Sequence, residues 1–161
     1  MTLPLSKSLF ALTLAGTLTG ALMLLANAAS AGECPAGKVV TSDGQKPGAT
    51  AHKDVTEKLL GEIDLTNEKV AVQGHHFRMR RLEVAPGGEV AWHSHDERPA
   101  LIYVVSGKIT EYASTCSVPI EHDAGDLSVE SHLSHWWKNN SDKPTVLISA
   151  DIAADPKDHN M

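Results

Sequence analysis

Three features of the sequence predict a small all-β domain of the barrel or sandwich type. From Gly61 onward, short runs rich in β-branched and aromatic residues follow one another at even spacing. Turn-forming residues separate the runs, as at Pro86–Gly88 and Asn139–Pro144. Between Gly61 and Ile152, no segment places apolar residues at helical spacing. Many short strands joined by such turns are typical of sandwiches and barrels.

The predicted strands cover most of the second half of the chain. They are Glu62–Leu65, Lys69–Val72, Phe77–Val84, Glu89–His93, Ala100–Val105, Lys108–Tyr112, Leu127–Val129, His135–Lys138 and Thr145–Ile152. The run Ala100–Val105 is apolar on both faces, as expected of a strand that lines a barrel. Before the strands, Asp54–Leu60 is expected to form one or two helical turns.

The beginning of the chain has the order of a secretory signal peptide. Lys7 precedes the uncharged apolar run Leu9–Leu25, and small residues then predict cleavage after Ala28 or Ala31. The alternative is an uncleaved anchor, although the apolar run is short for a membrane-spanning helix. We therefore expect an exported protein, periplasmic or secreted, whose mature form does not span a membrane.

After the leader, the chain has the length of a single domain. We expect a signal peptide over 1–28, an extended arm over 29–60, the barrel over 61–153 and a C-terminal tail over 154–161. The formal net charge is −6 and no basic stripe is present, so nucleic acid is not an expected partner. Neither a P-loop nor a Ser-His-Asp order is found.

Two cysteines, Cys34 and Cys116, remain in the predicted mature chain. An exported protein meets an oxidising compartment, where a Cys34–Cys116 disulfide would tie the arm to the barrel. The alternative is two free thiols, because sequence does not give their separation. Neither cysteine belongs to a Cys-x-x-Cys motif, so redox catalysis is not supported.

Histidines at the end of a predicted strand indicate a metal site. His93 and His95 are two residues apart, and because side chains alternate along a strand, both imidazoles point the same way. Two imidazoles at this spacing can reach one ion at about 2.0–2.1 Å. A third ligand must come from elsewhere, and His135, beyond the Gly125-Asp126 turn, is the best candidate.

These residues resemble the two sequence motifs of the cupin superfamily. The first motif matches Gly87, His93, His95 and Gly107, and the second matches Gly125, His135 and Asn139. The resemblance covers roughly Gly61 to Ile152. It implies a double-stranded β-helix, or jelly roll, that holds one divalent metal inside the barrel.

The resemblance fails at one metal ligand. The glutamate that usually completes the cupin site falls on Ala100, which cannot bind a metal. The implied ligands are therefore His93, His95 and His135 alone, and they leave the double positive charge of the ion uncompensated. Glu97 is an alternative carboxylate, but Pro99 places it in a turn, where a solvated loop residue is the other interpretation.

Residues near the three histidines are candidates for ligand binding. They are Arg98, Tyr103, Tyr112 and Trp137. Arg98 could clamp a carboxylate, or form a surface salt bridge with Asp96 or Glu97. The tyrosines could donate hydrogen bonds, although core positions are the alternative. Trp92 and Trp136 are expected outside the barrel, in a dimer seam or against the second sheet, and cupins commonly form homodimers.

The sequence leaves two classes of function open. The resemblance to cupins of the quercetin dioxygenase type implies an oxygenase acting on a small anionic or chelating molecule. The metal would be iron, manganese, zinc or nickel, and isomerase or lyase chemistry is the alternative for an enzyme. The other class is a cupin module that binds a small ligand or a metal without turnover, since one fold supports many functions.

Overall fold

A computed structural model describes residues 32–41 and 43–154 of the chain as antiparallel β-structure. The predicted signal peptide and most of the predicted tail lie outside these residues. In the described part of the chain, no helix is long and apolar enough to cross a membrane.

Eight strands form the fold. They are β1 (Lys53–Asp64), β2 (His76–Ser94), β3 (Ala100–Ser106), β4 (Lys108–Ala113), β5 (Ile120–Asp123), β6 (Leu127–Glu130), β7 (Ser134–Lys138) and β8 (Thr145–Ala153). Their hydrogen-bonded order is β5-β4-β7-β2-β8-β3-β6, and β1 pairs with β2 at the side. The nearly closed antiparallel barrel confirms the predicted double-stranded β-helix.

The long strand β2 pairs with different strands along its length. Its first half pairs with β1 and β8, and its second half pairs with β7. The change occurs at Pro86–Gly88, where Gly87 has a φ of 73°, a backbone conformation that favours glycine. Asn139 fixes this bend, because its backbone carbonyl accepts from Gly87 and its backbone N–H donates to Gly88.

Several local predictions were wrong. Asp54–Leu60 lies in strand β1, not in a helix, because its backbone pairs with β2. The expected start of the barrel at Gly61 falls within this strand. Lys69–Val72 lies in turns between β1 and β2. Strand β5 was not predicted, and Pro86–Gly88 bends one strand rather than separating two.

The barrel interior has an apolar half and a polar half. The apolar half is a packed cluster that includes Leu82, Ile102, Trp137 and Leu147, all at most 1 % exposed. The polar half carries the buried side chains Arg78, Arg80, His93, His95, Arg98, Glu111, Ser128, Glu130, His135, Ser149 and Asp151. Burying so many polar groups is costly unless they bind one another or a ligand.

The N-terminal arm covers the outside of the β4–β7 sheet. A disulfide joins Cys34 to Cys116, with 5.8 Å between their Cα atoms. The indole Nε1 of Trp136 donates to the carbonyl of Lys46 at 3.1 Å, and a Cβ at Gly48 would collide with the same indole ring. Trp136 thus lies outside the barrel, as predicted, but the arm of its own chain covers it.

Candidate metal centre

The pairing of β2 with β7 brings the three histidines together. His93 and His135 are direct cross-strand partners, so their side chains leave the same face of the sheet. His95 follows the end of β2, and its backbone N–H donates to the carbonyl of Leu133 at 2.8 Å. All three imidazoles are buried.

The Nε2 atoms of the three rings converge on one point. They are 2.9 Å apart between His93 and His95, 3.1 Å between His95 and His135, and 3.0 Å between His135 and His93. Each Nδ1 has its own acceptor: the carbonyl of Ala91 at 2.8 Å, the carbonyl of Arg98 at 2.6 Å and the Glu111 carboxylate at 2.7 Å. With the protons on Nδ1, three Nε2 lone pairs face one another, and a shared cation would relieve their repulsion.

This donor set fits a divalent metal ion. Three nitrogens about 2.1 Å from one ion lie about 3.0 Å apart if they meet it at right angles, and about 3.4 Å apart at tetrahedral angles. The observed separations of 2.9 to 3.1 Å match right angles. Three histidines on one face of an octahedron would leave three positions for other ligands.

Two buried carboxylates lie beside His135, and the ionised one, Glu111, would compensate part of the charge of a bound ion. Glu111 accepts from His135 Nδ1 with one oxygen and from His122 Nε2, at 2.9 Å, with the other. Glu130 Oε2 lies 3.3 Å from the same His135 Nδ1. Glu111 thus bonds to an imidazole in the arrangement that orients a histidine ligand and strengthens its donor nitrogen, whereas neither oxygen of Glu130 has a hydrogen-bond partner among the described residues.

The protonation of the centre reflects this arrangement. Burial, together with the proximity of His135, lowers the pKa of His93 well below its usual range and that of His95 to about 3. Burial also opposes protonation of His135, but Glu130 and Glu111 prevail and raise its pKa. A proton on His135 and a metal ion would compete for the same lone pair, so acid should weaken metal binding.

The two carboxylates differ strongly in acidity. Burial raises the pKa of Glu130 to about 7, with the His135 charge opposing. Burial likewise acts against ionisation of Glu111, but hydrogen bonds from His122 and His135 outweigh it and lower the pKa to about 2. Glu111 is therefore a permanent negative charge beside His135.

A cluster of arginines around Asp151 borders the three histidines. Arg78, Arg80 and Arg98 each place a guanidinium nitrogen 2.7 to 3.1 Å from Asp151 Oδ2. Asp151 is buried, which disfavours its charge, but the arginine bonds and charges lower its pKa. Arg98 also holds His95 through its backbone carbonyl, so it is buried inside the barrel and not in a surface salt bridge.

The other predicted ligand-binding residues have different positions. Tyr103 points outward and is 45 % exposed, because it alternates with the buried Ile102 and Val104 on β3. Tyr112 stacks on Trp136 outside the barrel, with ring centroids 4.2 Å apart. Both tyrosines therefore lie away from the histidines, and their assignment to the site was wrong.

Trp137 lies beside the three histidines, whereas Glu97 lies in an exposed loop. Trp137 is fully buried, and its Nε1 lies 3.4 Å from His135 Nε2, so its indole borders the metal centre. Glu97 is exposed in the loop after His95 and does not belong to the groups of buried ligand atoms found in the described chain. Asn139 fixes a turn, because its side-chain amide donates to the carbonyls of Val84 and Lys143.

Sequence reasoning missed the charged residues that surround the histidines. His122, expected in a polar turn, is buried on β5 and bonded to Glu111. Glu111 follows Ile109 by two residues, and this alternation was a usable signal that it faces inward. Glu130 gave no such signal, because β6 turns its apolar residues outward and its polar residues inward.

Comparisons with known proteins agree with the fold. The family model of the cupin domain (Cupin_2) matches residues 80–151. The part of the chain that the family model matches is thus a cupin domain, as the motifs around His93 and His135 predicted.

Solved structures show the same architecture at low sequence identity. A predicted oxalate decarboxylase from Thermotoga maritima is 19 % identical, with a TM-score of 0.50, and the match covers 71 % of this chain and 97 % of that one. A double-stranded β-helix protein from Klebsiella pneumoniae is 16 % identical, with a TM-score of 0.49 and coverages of 68 % and 88 %.

A cupin 2 conserved barrel domain protein from Salinispora arenicola is also 16 % identical, with a TM-score of 0.47 and coverages of 60 % and 74 %. At these identities the likeness concerns the fold alone. No curated protein matches the sequence.

Proposed function

We propose that this protein is an exported cupin that binds one divalent metal ion through His93, His95 and His135 and uses the open positions of that metal to hold a small chelating molecule. The convergence of three Nε2 atoms, each with its Nδ1 proton held by a separate acceptor, carries the proposal. Glu111 would balance part of the charge of the ion through His135, and Glu130, whose pKa is raised to about 7, would add a partial charge beside it.

The candidate metals are iron, manganese, nickel and zinc. The separations of 2.9 to 3.1 Å between the three Nε2 atoms would suit an octahedral ion such as iron, manganese or nickel better than tetrahedral zinc. When bound, the metal would supply Lewis acidity and, for iron or manganese, redox chemistry. The residues of the chain would hold the ion in place, exclude water from it and set the charge around it.

The part of the polar interior that holds the three buried arginines suits an anionic oxygen ligand. The three arginines face one carboxylate, Asp151, with Glu57 as a further partner of Arg80. Ser149 Oγ is fully buried and has no hydrogen-bond partner among the described residues. This hydroxyl is a candidate donor to an anionic ligand inside the barrel.

Two functions remain distinct within this proposal. The first is an oxygenase, in which the chelated molecule is the substrate, with isomerase or lyase chemistry as the variant. The second is a binding module without turnover, which the absence of an assigned general base favours. Export is part of both, because the Cys34–Cys116 disulfide suits an oxidising compartment.

An anaerobic titration separates the two functions. The mature protein is loaded with Fe(II) and titrated with oxalate, acetylacetone and a flavonol, and binding is followed by charge-transfer absorption. Ser149→Ala should weaken binding about tenfold without changing the iron content. Oxygen consumption on admitting air would identify an oxygenase, and stable binding without consumption would identify the binding module. Failure of every chelator to bind the loaded protein would contradict the proposal.

A further inference from the structure

A second group of buried ligand atoms meets at the other nitrogen of His135. The Nε2 atom of this ring faces His93 and His95, whereas its Nδ1 atom faces the carboxylates of Glu111 and Glu130. Glu111, Glu130 and His135 each offer one ligand atom, and these atoms lie within 4.8 Å of one another. We call these three residues the carboxylate cluster.

Three strands bring the carboxylate cluster together. Glu111 lies on β4 and faces inward with the buried Ala113, which is the cross-strand partner of His135 on β7. Glu130 lies on β6 as the direct partner of Ala100, so both side chains leave the same face of the sheet. The methyl group of Ala100 fills little of the interior, and the longer side chain of Glu130 extends to the ring of His135. Because β4 and β6 do not pair, the cluster is built across the barrel.

Glu130 is the member of the cluster that points to a ligand. Its side chain is fully buried, and neither of its oxygens has a hydrogen-bond partner among the described residues. Its Oε2 atom lies 3.3 Å from His135 Nδ1, so the carboxylate is directed into the cluster. A buried carboxylate without hydrogen bonds is costly unless it binds a cation.

The spacing of the donor atoms suits one shared ion. Glu111 Oε1 lies 2.7 Å and Glu130 Oε2 3.3 Å from His135 Nδ1. Two donors that bind one ion at about 2.0–2.2 Å lie about 2.8–3.6 Å apart at right to tetrahedral angles, so small shifts would suffice. The other oxygen of Glu111 accepts from His122 Nε2 at 2.9 Å, a bond that would keep the carboxylate oriented.

A separate cavity leads from the surface to the carboxylate cluster. It has a volume of about 190 Å³, and its walls include Glu33, Cys34, Glu111, Thr115 and Ser128. Glu33 is exposed on the arm, and Glu111 is buried inside the barrel. An ion could therefore reach the cluster along this cavity. Because three protein donors leave part of the coordination of a divalent ion open, the cavity would also hold its water ligands.

We propose that the carboxylate cluster is a second cation site, for zinc or copper(II), joined to the three-histidine site by the imidazole ring of His135. Mixed carboxylate and imidazole donors suit these ions. Binding breaks the Nδ1–H bond of His135, releases the proton to solvent and forms an Nδ1–metal bond. The carboxylates of Glu111 and Glu130 balance the charge of the second ion. The two sites share His135 alone.

The second ion binds more weakly than the first. It must displace the proton that His135 shares with Glu111, and it is repelled by the other divalent ion across one imidazole ring. The purified protein is therefore expected to carry the first ion alone. The second site fills when the metal is added.

A copper(II) titration of the mature, metal-free protein, followed by electron paramagnetic resonance, tests the proposal. The first equivalent should fill the three-histidine site and give its full signal. The second equivalent should erase signal instead of adding to it, because an imidazolate bridge pairs the electron spins of two copper ions. In Glu130→Gln, further copper should only add signal. Glu121→Gln, which changes an exposed carboxylate on β5, is the matched control and should behave like wild type.

Two results of this titration would overturn the proposal. One is a wild-type signal that keeps growing through the second equivalent, as copper bound at unrelated surface groups would produce. The other is a loss of signal that persists in Glu130→Gln. Circular dichroism should show the same fold in all variants, so that a failure to fold is not mistaken for a lost site.

Zinc binding by His93→Ala separates this site from the three-histidine site. In equilibrium dialysis against added zinc, His93→Ala should bind one ion per chain, and adding Glu130→Gln should abolish that binding. If His93→Ala binds no zinc, or if the double variant still binds it, the second site is wrong and the three-histidine site stands. If zinc binding in the wild type needs Glu130 but not His93, the second site stands and the three-histidine site is wrong.

Discussion

At the scale of single residues, Glu111 is the group on which the metal centre depends most after its three histidines. Its two oxygens accept hydrogen bonds from His135 and His122, so it fixes the ring that would donate to a bound metal. It also supplies a negative charge at every pH near neutrality, because its pKa is lowered to about 2. Its effect on the ion is transmitted through the imidazole of His135.

We expect Glu111→Gln to weaken metal binding about 10- to 100-fold, the usual cost of losing the hydrogen-bond partner of a histidine ligand. Competition with a chelator of known affinity measures the change. Glu121→Gln on the adjacent strand is the control, because this exposed carboxylate bonds only to Thr110 in the described contacts. Equal affinities in Glu111→Gln and wild type would show that Glu111 does not support the metal.

Asp151 is the buried carboxylate that pairs with three buried arginines in the barrel interior. Asp151→Asn would leave three buried arginines facing an amide, and we expect a loss of about 3–5 kcal/mol in the free energy of unfolding at pH 7. Urea unfolding measures this loss, and the exposed Asp142→Asn is the control.

The pH dependence follows from the lowered pKa of Asp151. A carboxyl group whose folded pKa lies below the ordinary 3.8 stabilises the fold above that pH and loses this contribution as the pH falls through the folded pKa. The stability difference between wild type and Asp151→Asn should therefore be constant above about pH 5 and shrink below 3.8. A difference that grows in acid would contradict the assigned ion pairs.

At the scale of elements, the disulfide joins the arm to the turn after β4. It closes a loop with a sequence separation of 82 residues. Loop-closure entropy predicts that the double variant Cys34→Ser, Cys116→Ser loses about 4–5 kcal/mol. Thermal unfolding should show this loss, and a reductant should lower the melting temperature of the wild type but not of the variant. Identical melting of both proteins without reductant would mean that the disulfide carries no stability.

The elements also show which parts of the molecule the sequence could predict. Strand period and motif spacing were sufficient for the barrel, His93, His95 and His135, because these depend on local alternation and on one strand pairing. Strand period and motif spacing did not predict that Tyr103 points outward and Glu130 inward. The packing of the whole barrel decides which face of β3 and of β6 is buried. The helix expected at Asp54–Leu60 failed because pairing with β2 decides its conformation.

The electrostatics of the site could not be predicted for a related reason. Glu111, Glu130 and Asp151 lie on three different strands, and only the sheet register places them near the histidines. The sequence therefore suggested an uncompensated metal. The folded chain places Glu111 and Glu130 beside His135, so neighbouring strands supply the carboxyl groups that Ala100 cannot provide.

At the scale of the whole molecule, export should be visible in the mature chain. Mass spectrometry of protein from a secreting bacterial host should give a mature N-terminus at Ala29 or Gly32, because cleavage is predicted after Ala28 or Ala31. The protein should be in the soluble periplasmic or secreted fraction. An intact N-terminus in the membrane fraction would instead support an uncleaved anchor.

Metal content tests most directly whether His93, His95 and His135 hold one metal ion. Mature protein without an affinity tag, analysed by mass spectrometry of its metals, should contain about one divalent ion per chain. His93→Ala, His95→Ala and His135→Ala should each lose it, while His132→Ala, which removes an exposed histidine, should retain it. Full metal content in any of the first three variants would contradict the account.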